Sequence, residues 1–368
     1  MKRAALIGLA LLLSACGGGA APAPSGSAPA SGGPKAALDV EAAKRESTLA
    51  LTMHPDPQYE SVVNLAQKAL PQLKIQYNPM RPSDFVPRVL SEQRNGQYLW
   101  DVHVGPASNM LSVMTPADGL ADIRPFVDGL DPDVTADGKW AGGFKVFTDP
   151  DRPVTLVYQY FLTGGLYVNR DKLPASQFSS ADQLLDPKFK GQIVIYDPTK
   201  ENGGSLTLGA LLVARGEDFV RKLMRDQAPV VVSTSRQGTE WLAEGRYPIG
   251  IGTDRNLLAD MQAKGLGRSV ELIRLDGQYV LTYGVSILKN APHPNASKLF
   301  LNWLLGHDGQ DAMAREVEGG SSRRLDVKVY HPDDTPDYHN LSQYKFIPVS
   351  PQGMEVMKKV LNITQNKA

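Results

Sequence analysis

The chain has 368 residues, 42% hydrophobic and 21% charged, which is enough for two ordinary domains and too apolar for a disordered polymer. Its 39 basic and 39 acidic residues cancel to a formal net charge of zero, which argues against a nucleic-acid reader, since such proteins are basic as a rule. One cysteine, Cys16, leaves no internal disulfide, and no repeat at solenoid spacing is visible.

Lys2 and Arg3 precede an apolar run over residues 4–13. That run is too short to cross a bilayer, which needs ~20 residues, and has the length of a signal-peptide core. Leu13-Ser14-Ala15-Cys16 follows and resembles the bacterial lipobox, in which the cysteine is lipidated and becomes the mature N-terminus. Two or more acyl chains on Cys16 would anchor the chain stably. Residues 1–15 are expected to be a lipoprotein signal peptide. Residues 16–40, rich in Gly, Ala, Pro and Ser, are expected to be a flexible tether. The body is thus expected in the periplasm or at the cell surface, held to a membrane.

In the body, residues 48–53 (TLALTM) predict a strand and residues 57–70 a helix, with Tyr59, Val62, Val63 and Ala66 at helical spacing. Residues 73–77 predict a second strand. A helix opens at Ser83, and residues 100–104 (WDVHV) predict a third strand followed by a helix from Ala107. Strands alternating with helices argue for α/β units, in which ligands collect at the carboxyl ends of strands. Those ends are residues 53–56, 80–83 and 105–109. Residues 153–160 predict a long strand crossing between lobes, and residues 166–169 a separate strand.

Residues 186–215 (DPKFKGQIVIYDPTKENGGSLTLGALLVAR) read as a buried strand, a turn through residues 197–204, and a helix from Ser205 that stops at Gly216. A strand feeding a glycine-rich turn and a helix start can cradle an anion, because the first helical N–H groups lack internal partners and sit at the positive end of the helix dipole. Gly203 and Gly204 would let a ligand approach the backbone, and Ser205 could cap the helix or donate to the ligand. The same residues also suit a tight connection without a ligand, and both readings stand at this point.

Further on, residues 217–225 predict a helix, 230–232 a strand, 233–237 a polar turn bearing Arg236, 239–244 a helix and 248–251 a strand. Residues 252–255 form the next strand-end loop, with Arg255. Residues 279–288 (YVLTYGVSIL) predict the second crossing strand, and residues 294–305 and 308–317 predict helices. Two α/β sets joined by two long strands imply two lobes with a cleft between them, the arrangement of a hinge-closing binder. The expected division is 41–155 for the first lobe, 156–278 for the second, 279–325 returning to the first, and 326–368 as a C-terminal segment on one lobe or both.

KRESTLALT at 44–52, WDVHVG at 100–105, GGLYVNRDKLP at 164–174, LLDPKFKGQIVIYDP at 184–198, LAEGRYPIGIG at 242–252 and APHPNASKLFLNWLLGHDGQDAM at 291–313 together carry a family resemblance. In that order they resemble the extracytoplasmic solute-binding proteins of ABC importers, family 1 or iron(III)-type branch. The resemblance implies a two-lobed fold of periplasmic-binding-protein type II, each lobe a mostly parallel sheet flanked by helices. It implies a monomeric receptor that closes on a small solute and docks on ABC permease subunits, with no catalysis and no cofactor. The chain also lacks the nucleophile-elbow, phosphate-loop and zinc-protease motifs.

Ferric members of this branch use an adjacent tyrosine pair in the loop after the strand matching residues 248–251. Here that loop reads Thr253-Asp254-Arg255-Asn256-Leu257-Leu258. His54 falls near the position of a ferric histidine. An organic or phosphorylated anion is therefore the expected solute, with a ferric ion or iron complex as the alternative and no resident metal. Micromolar affinity needs ~8 kcal/mol. A helix N-terminus supplies at most ~2 kcal/mol, and charge-assisted hydrogen bonds ~1.5–3 kcal/mol each. Arginines are needed, and Arg81 with Ser83, Arg236 and Arg255 all fall in predicted strand-end turns. Tyr158, Tyr160 and Tyr283 on the crossing strands are candidates for stacking or donation. An enzyme on the same scaffold, or a receptor for a membrane sensor, are the competing readings.

Overall fold

A computed structural model describes residues 37–366 apart from 318, 333 and 345–349. Cys16, the expected signal segment and the tether up to residue 36 lie outside the described residues.

The eight strands are β1 (Thr48–Thr52), β2 (Lys74–Tyr77), β3 (Val102–Pro106), β4 (Thr155–Asn169), β5 (Ile193–Tyr196), β6 (Val230–Val232), β7 (Ile249–Ile251) and β8 (Val270–Ile287). They hydrogen-bond in the order β2-β1-β3-β8-β4-β7-β5-β6. At one end, β1 pairs parallel with β2 and β3. At the other, β5 pairs parallel with β6 and β7. The two long strands in the middle are antiparallel, and β4 runs from Thr155 opposite Ser286 to Asn169 opposite Val270.

Two hydrophobic cores share these strands. Leu156, Tyr158, Val285 and Ile287 belong to the first, with Leu49, Leu51, Val62, Val104 and Phe300. Leu166 and Val168 belong to the second, with Ile193, Ile195, Leu208, Leu211 and Ile249. The chain therefore passes between cores near residues 160–165, where the β4–β8 register shifts between Thr163 and Gly165. Gly165 is required there: a Cβ would stand 2.6 Å from the Ile273 carbonyl oxygen.

Two expectations need correction. The separate strands expected at 153–160 and 166–169 are one continuous strand of 15 residues, because the intervening glycines accommodate a register shift instead of ending the pairing. The second crossing strand starts at Val270 instead of Tyr279, and its first half pairs with the second-lobe half of β4.

The helices follow their apolar periodicity. Pro57–Ala69 buries Tyr59, Val62, Val63 and Ala66 and has a proline in its first turn, where no N–H is needed. Gly203–Arg215 buries almost its whole length and ends at Gly216, whose φ of 86° favours glycine. The C-terminal segment touches both lobes. Tyr330 Oη donates to Asp311 Oδ1 at 2.7 Å in the first, and just before the segment the fully buried Arg323 donates to the carbonyls of Ala141, Val157 and Gly143. The helix Pro351–Gln365 inserts Met357, Val360 and Ile363 into the second core, each worth about 1.5–3 kcal/mol of burial.

His293, at the start of the helix Pro294–Leu305, is tied to Asp101. The fully buried Asp101 carboxylate accepts from His293 N at 2.7 Å and Ala50 N at 2.7 Å and lies 2.8 Å from His293 Nδ1. The Asp101 hydrogen bond raises the His293 pKa above its ordinary 6.5. A raised folded pKa gives stability that is full below the unfolded value and is lost as pH rises through the folded one. Thermal unfolding should show the wild type losing stability above pH ~6.5, while His293→Asn removes that part of the slope.

Candidate functional site

The cleft is built where strands of both lobes end and helices begin. β1 runs into His54-Pro55-Asp56 before the helix Pro57–Ala69. β2 leads to Arg81 before the helix Pro82–Arg94. In the second lobe, Thr234 caps the helix Ser235–Ala243, which carries Arg236. Asp254 caps the helix Arg255–Ala263 through Leu257 N at 3.2 Å. Between these ends lies a cleft of about 360 Å³ walled by Asp56 and Arg81 from one side and by Arg236, Asp254, Asn256 and Asp260 from the other.

Asp56 joins the two walls. It stands at the N-cap position of its helix, but its side chain makes no cap bond. Instead Asn256 Nδ2 donates to its Oδ2 at 2.8 Å across the cleft, and His54 Nδ1 lies 3.0 Å from the same oxygen. Burial pushes the Asp56 carboxyl up, but His54, Asn256 and the charge of Arg81 outweigh it and hold the group below its ordinary range. A second crossing contact runs from Ser112 Oγ to Glu201 Oε2 at 3.5 Å. Arg236 pairs with Glu240 at 3.2 Å, whereas Arg81 is exposed and makes no ion pair among the described residues.

A smaller cavity of about 90 Å³ sits on the other side of the 252–257 segment, lined by Tyr167, Gly203, Thr207, Thr253, Arg255 and Asp334. Arg255 does not face the cleft. It pairs with Asp334 from the C-terminal segment, and Arg274 reaches the other oxygen of that carboxylate at 3.0 Å. Burial raises the Asp334 pKa, but the two guanidiniums hold it below the usual carboxylate range.

The expected cradle divides. The helix begins at Gly203, earlier than Ser205, because Asn202 is the cap: its Oδ1 accepts from Gly204 N at 2.8 Å and Ser205 N at 3.4 Å. Ser205 Oγ accepts from Asn202 N at 2.9 Å, completing a capping box, and the residue is fully buried. Gly204 packs against β5, where a Cβ would stand 2.0 Å from Tyr196 O. Of the three, Gly203 alone lines the cavity, so at Gly204 and Ser205 the tight-connection reading is the one the geometry supports.

The remaining candidates are also placed. Ser83 is exposed and turns to Asp84 Oδ1 at 3.4 Å. Tyr283 is interior, 4.5 Å from the Phe161 ring and hydrogen-bonded to Tyr59, and burial pushes its pKa up to about 12. Tyr158 is fully buried, and Tyr160 stacks toward Tyr338 at 6.1 Å. Arg236 begins a helix instead of sitting in a free turn. Among the described residues no group of three or more His, Cys, Asp or Glu side chains stands close enough to hold a metal ion.

Asp56, Asn256, Arg274 and Asp334 were not singled out from the sequence. Asp56 lies inside the strand-end stretch 53–56, so its position was visible. Asp334 follows prolines with no periodicity, and nothing in the sequence pairs it with Arg274.

Residues 148–316 match the profile of a family described as bacterial extracellular solute-binding protein. The two-lobed fold is that of periplasmic-binding-protein type II structures, and residues 148–316 are similar to the extracellular solute-binding proteins. The chain is 29% identical over 132 residues to a Haemophilus influenzae protein titled only "Uncharacterized protein", covering 35% of this chain and 37% of that one. It is 25% identical over 160 residues to iron uptake protein A1 of a Synechocystis species, covering 40% of this chain and 44% of that one. The chain thus spans less than half the length of these curated relatives. Among solved structures, the Trichodesmium protein IdiA (FutA) in complex with iron and citrate superposes with a TM-score of 0.62 at 16% identity, covering 87% of this chain and 99% of that one.

Gly204→Ala is expected to cost about 3 kcal/mol of stability, because the new methyl collides with backbone. Gly203→Ala, whose Cβ would stand 3.3 Å from Gly252 Cα, should cost under about 1 kcal/mol. Urea denaturation of both variants measures the difference.

Proposed function

We propose that the chain is the solute-binding receptor of an ABC importer. It closes its two lobes on a small solute bearing an anionic group and hands that solute to permease subunits, acting as a monomer and without turnover. The observation that carries this reading is a cleft walled by both lobes, bridged by Asp56 and Asn256, with the Arg81 guanidinium exposed beside it and no ion pair among the described residues. An anion that meets Arg81 gains a charge-assisted hydrogen bond worth about 1.5–3 kcal/mol. Asp56 and Asp254 are already engaged by Asn256 and by a helix N-terminus, which reduces their repulsion of such a solute.

A second reading is favoured by the relatives. One is an iron uptake protein, and one structure holds iron together with citrate. Iron carried as an anionic chelate would suit the same cleft, with Arg81 meeting the chelator. A bare ferric ion has less support, since the loop at 253–258 carries no tyrosine pair and no group of three or more His, Cys, Asp or Glu side chains that could hold a metal stands among the described residues. Cys16 as the lipidated residue, with residues 17–36 as tether, completes the proposal and places the receptor at a membrane surface outside the cytoplasm.

Calorimetry against carboxylated and phosphorylated metabolites, with and without ferric ion, tests the cleft. Arg81→Ala should weaken binding by about 10- to 100-fold with an unchanged melting temperature, because the side chain is exposed. Equal affinity in the variant would remove Arg81 from the site. Cys16→Ser should move the protein from the membrane fraction to the soluble one.

A further inference from the structure

The carboxylate of Asp334 lies between two guanidiniums at the wall of the smaller cavity. Its main chain is held independently of them. Leu162 N on β4 donates to Asp334 O at 2.8 Å, and Asp334 N donates to His331 O at 3.1 Å. Thr335 Oγ1 closes the turn by donating to the same His331 carbonyl at 2.8 Å. The carboxylate is therefore the part of Asp334 whose place depends on Arg255 and Arg274. Beside it the cavity offers the hydroxyl-bearing Tyr167, Thr207 and Thr253 and the backbone at Gly203. Two guanidiniums converging on one carboxylate is also how proteins grip a free carboxylate or phosphate group.

We propose that Arg255, Arg274 and this cavity form a subsite for the carboxylate or phosphate group of the solute, and that Asp334 fills it until the solute arrives. The occupant rests on the anionic-solute reading above. An entering oxyanion takes over the guanidinium donors, and the Asp334 side chain swings out while Leu162 keeps its main chain on β4. Neither arginine loses its partner during the exchange. A neutral solute brings no charge to replace the Asp334 carboxylate beside Arg274, so Asp334 acts as a filter for charge. It is the chain's own residue, supplied by a segment that also braces both lobes.

Titration calorimetry of the full chain with inorganic phosphate and with citrate tests this, the two probes separating phosphate from carboxylate recognition. Asp334→Asn removes the competing charge and keeps the shape. It should bind at least one probe about tenfold more tightly than the wild type. Asp334→Ser repeats the comparison with a smaller side chain. Arg274→Gln should weaken the same probe about tenfold. Unchanged or weaker binding by both Asp334 variants, unchanged binding by Arg274→Gln, or no binding of either probe to any form overturns the subsite. The two readings fail separately. A wild type that binds a probe with no response to these substitutions contradicts the subsite and leaves the anionic-solute reading standing. A probe bound by Asp334→Asn but not by the wild type supports the subsite and counts against an anion as the natural solute.

Discussion

The antiparallel pairing of β4 with β8 is the constraint on which the rest of the molecule depends. Both strands pass from one hydrophobic core to the other without a break in the chain, so the lobes are joined by hydrogen-bonded ribbon instead of loose linkers. A change in the opening between lobes has to be absorbed where the ribbon is irregular, and its register shifts at Thr163/Gly165 as it leaves the first core. Packed cores on either side deform little, which makes rigid-body closure about that point the available motion. Each strand-end turn keeps its place relative to its own lobe, so closure brings preformed walls together.

The chemistry of those walls comes from what happens at helix starts. Asp254 and Asn202 spend their side chains on capping and are quiet in the cleft. Asp56 stands at an equivalent position but leaves its helix uncapped, and its carboxylate is free to meet Asn256 from the opposite lobe. One position thus trades a local bond of about 1 kcal/mol for a contact that bridges the two walls of the cleft. The C-terminal segment adds a second layer. It meets the first lobe through Tyr330 and Asp311, reaches Arg255 and Arg274 through Asp334, and ends as a helix in the second core. A segment so attached touches the wall of the small cavity and both lobes.

Much of this was legible in the sequence. Period-two and period-3.6 patterns located β1, β6 and the helix Pro294–Leu305 almost to the residue, because burial on one face is what those elements are for. The crossing strands were seen only in part, since glycines within β4 look locally like a strand end and only the partner strand shows otherwise. Among site residues, Arg81 and Arg236 were found because position at a strand end is a local property, and both line the cleft. Arg255 was found for the same reason but faces the other way, because its partner Asp334 comes from 79 positions later in the chain. Ser205 and Gly204 looked like a ligand cradle because capping and anion binding draw on the same N–H groups. Asn202, the residue that decides between them, lies within the turn and differs from its polar neighbours only in geometry.

The central proposal is that the lobes close on a solute carrying negative charge. Small-angle X-ray scattering of the chain with increasing carboxylated or phosphorylated solute tests it most directly. The account predicts a saturable fall in the radius of gyration with at least one such solute, and a weaker response when Arg81 is replaced by alanine. A radius that ignores every anion and falls instead with a cationic solute or with uncomplexed ferric ion would contradict it.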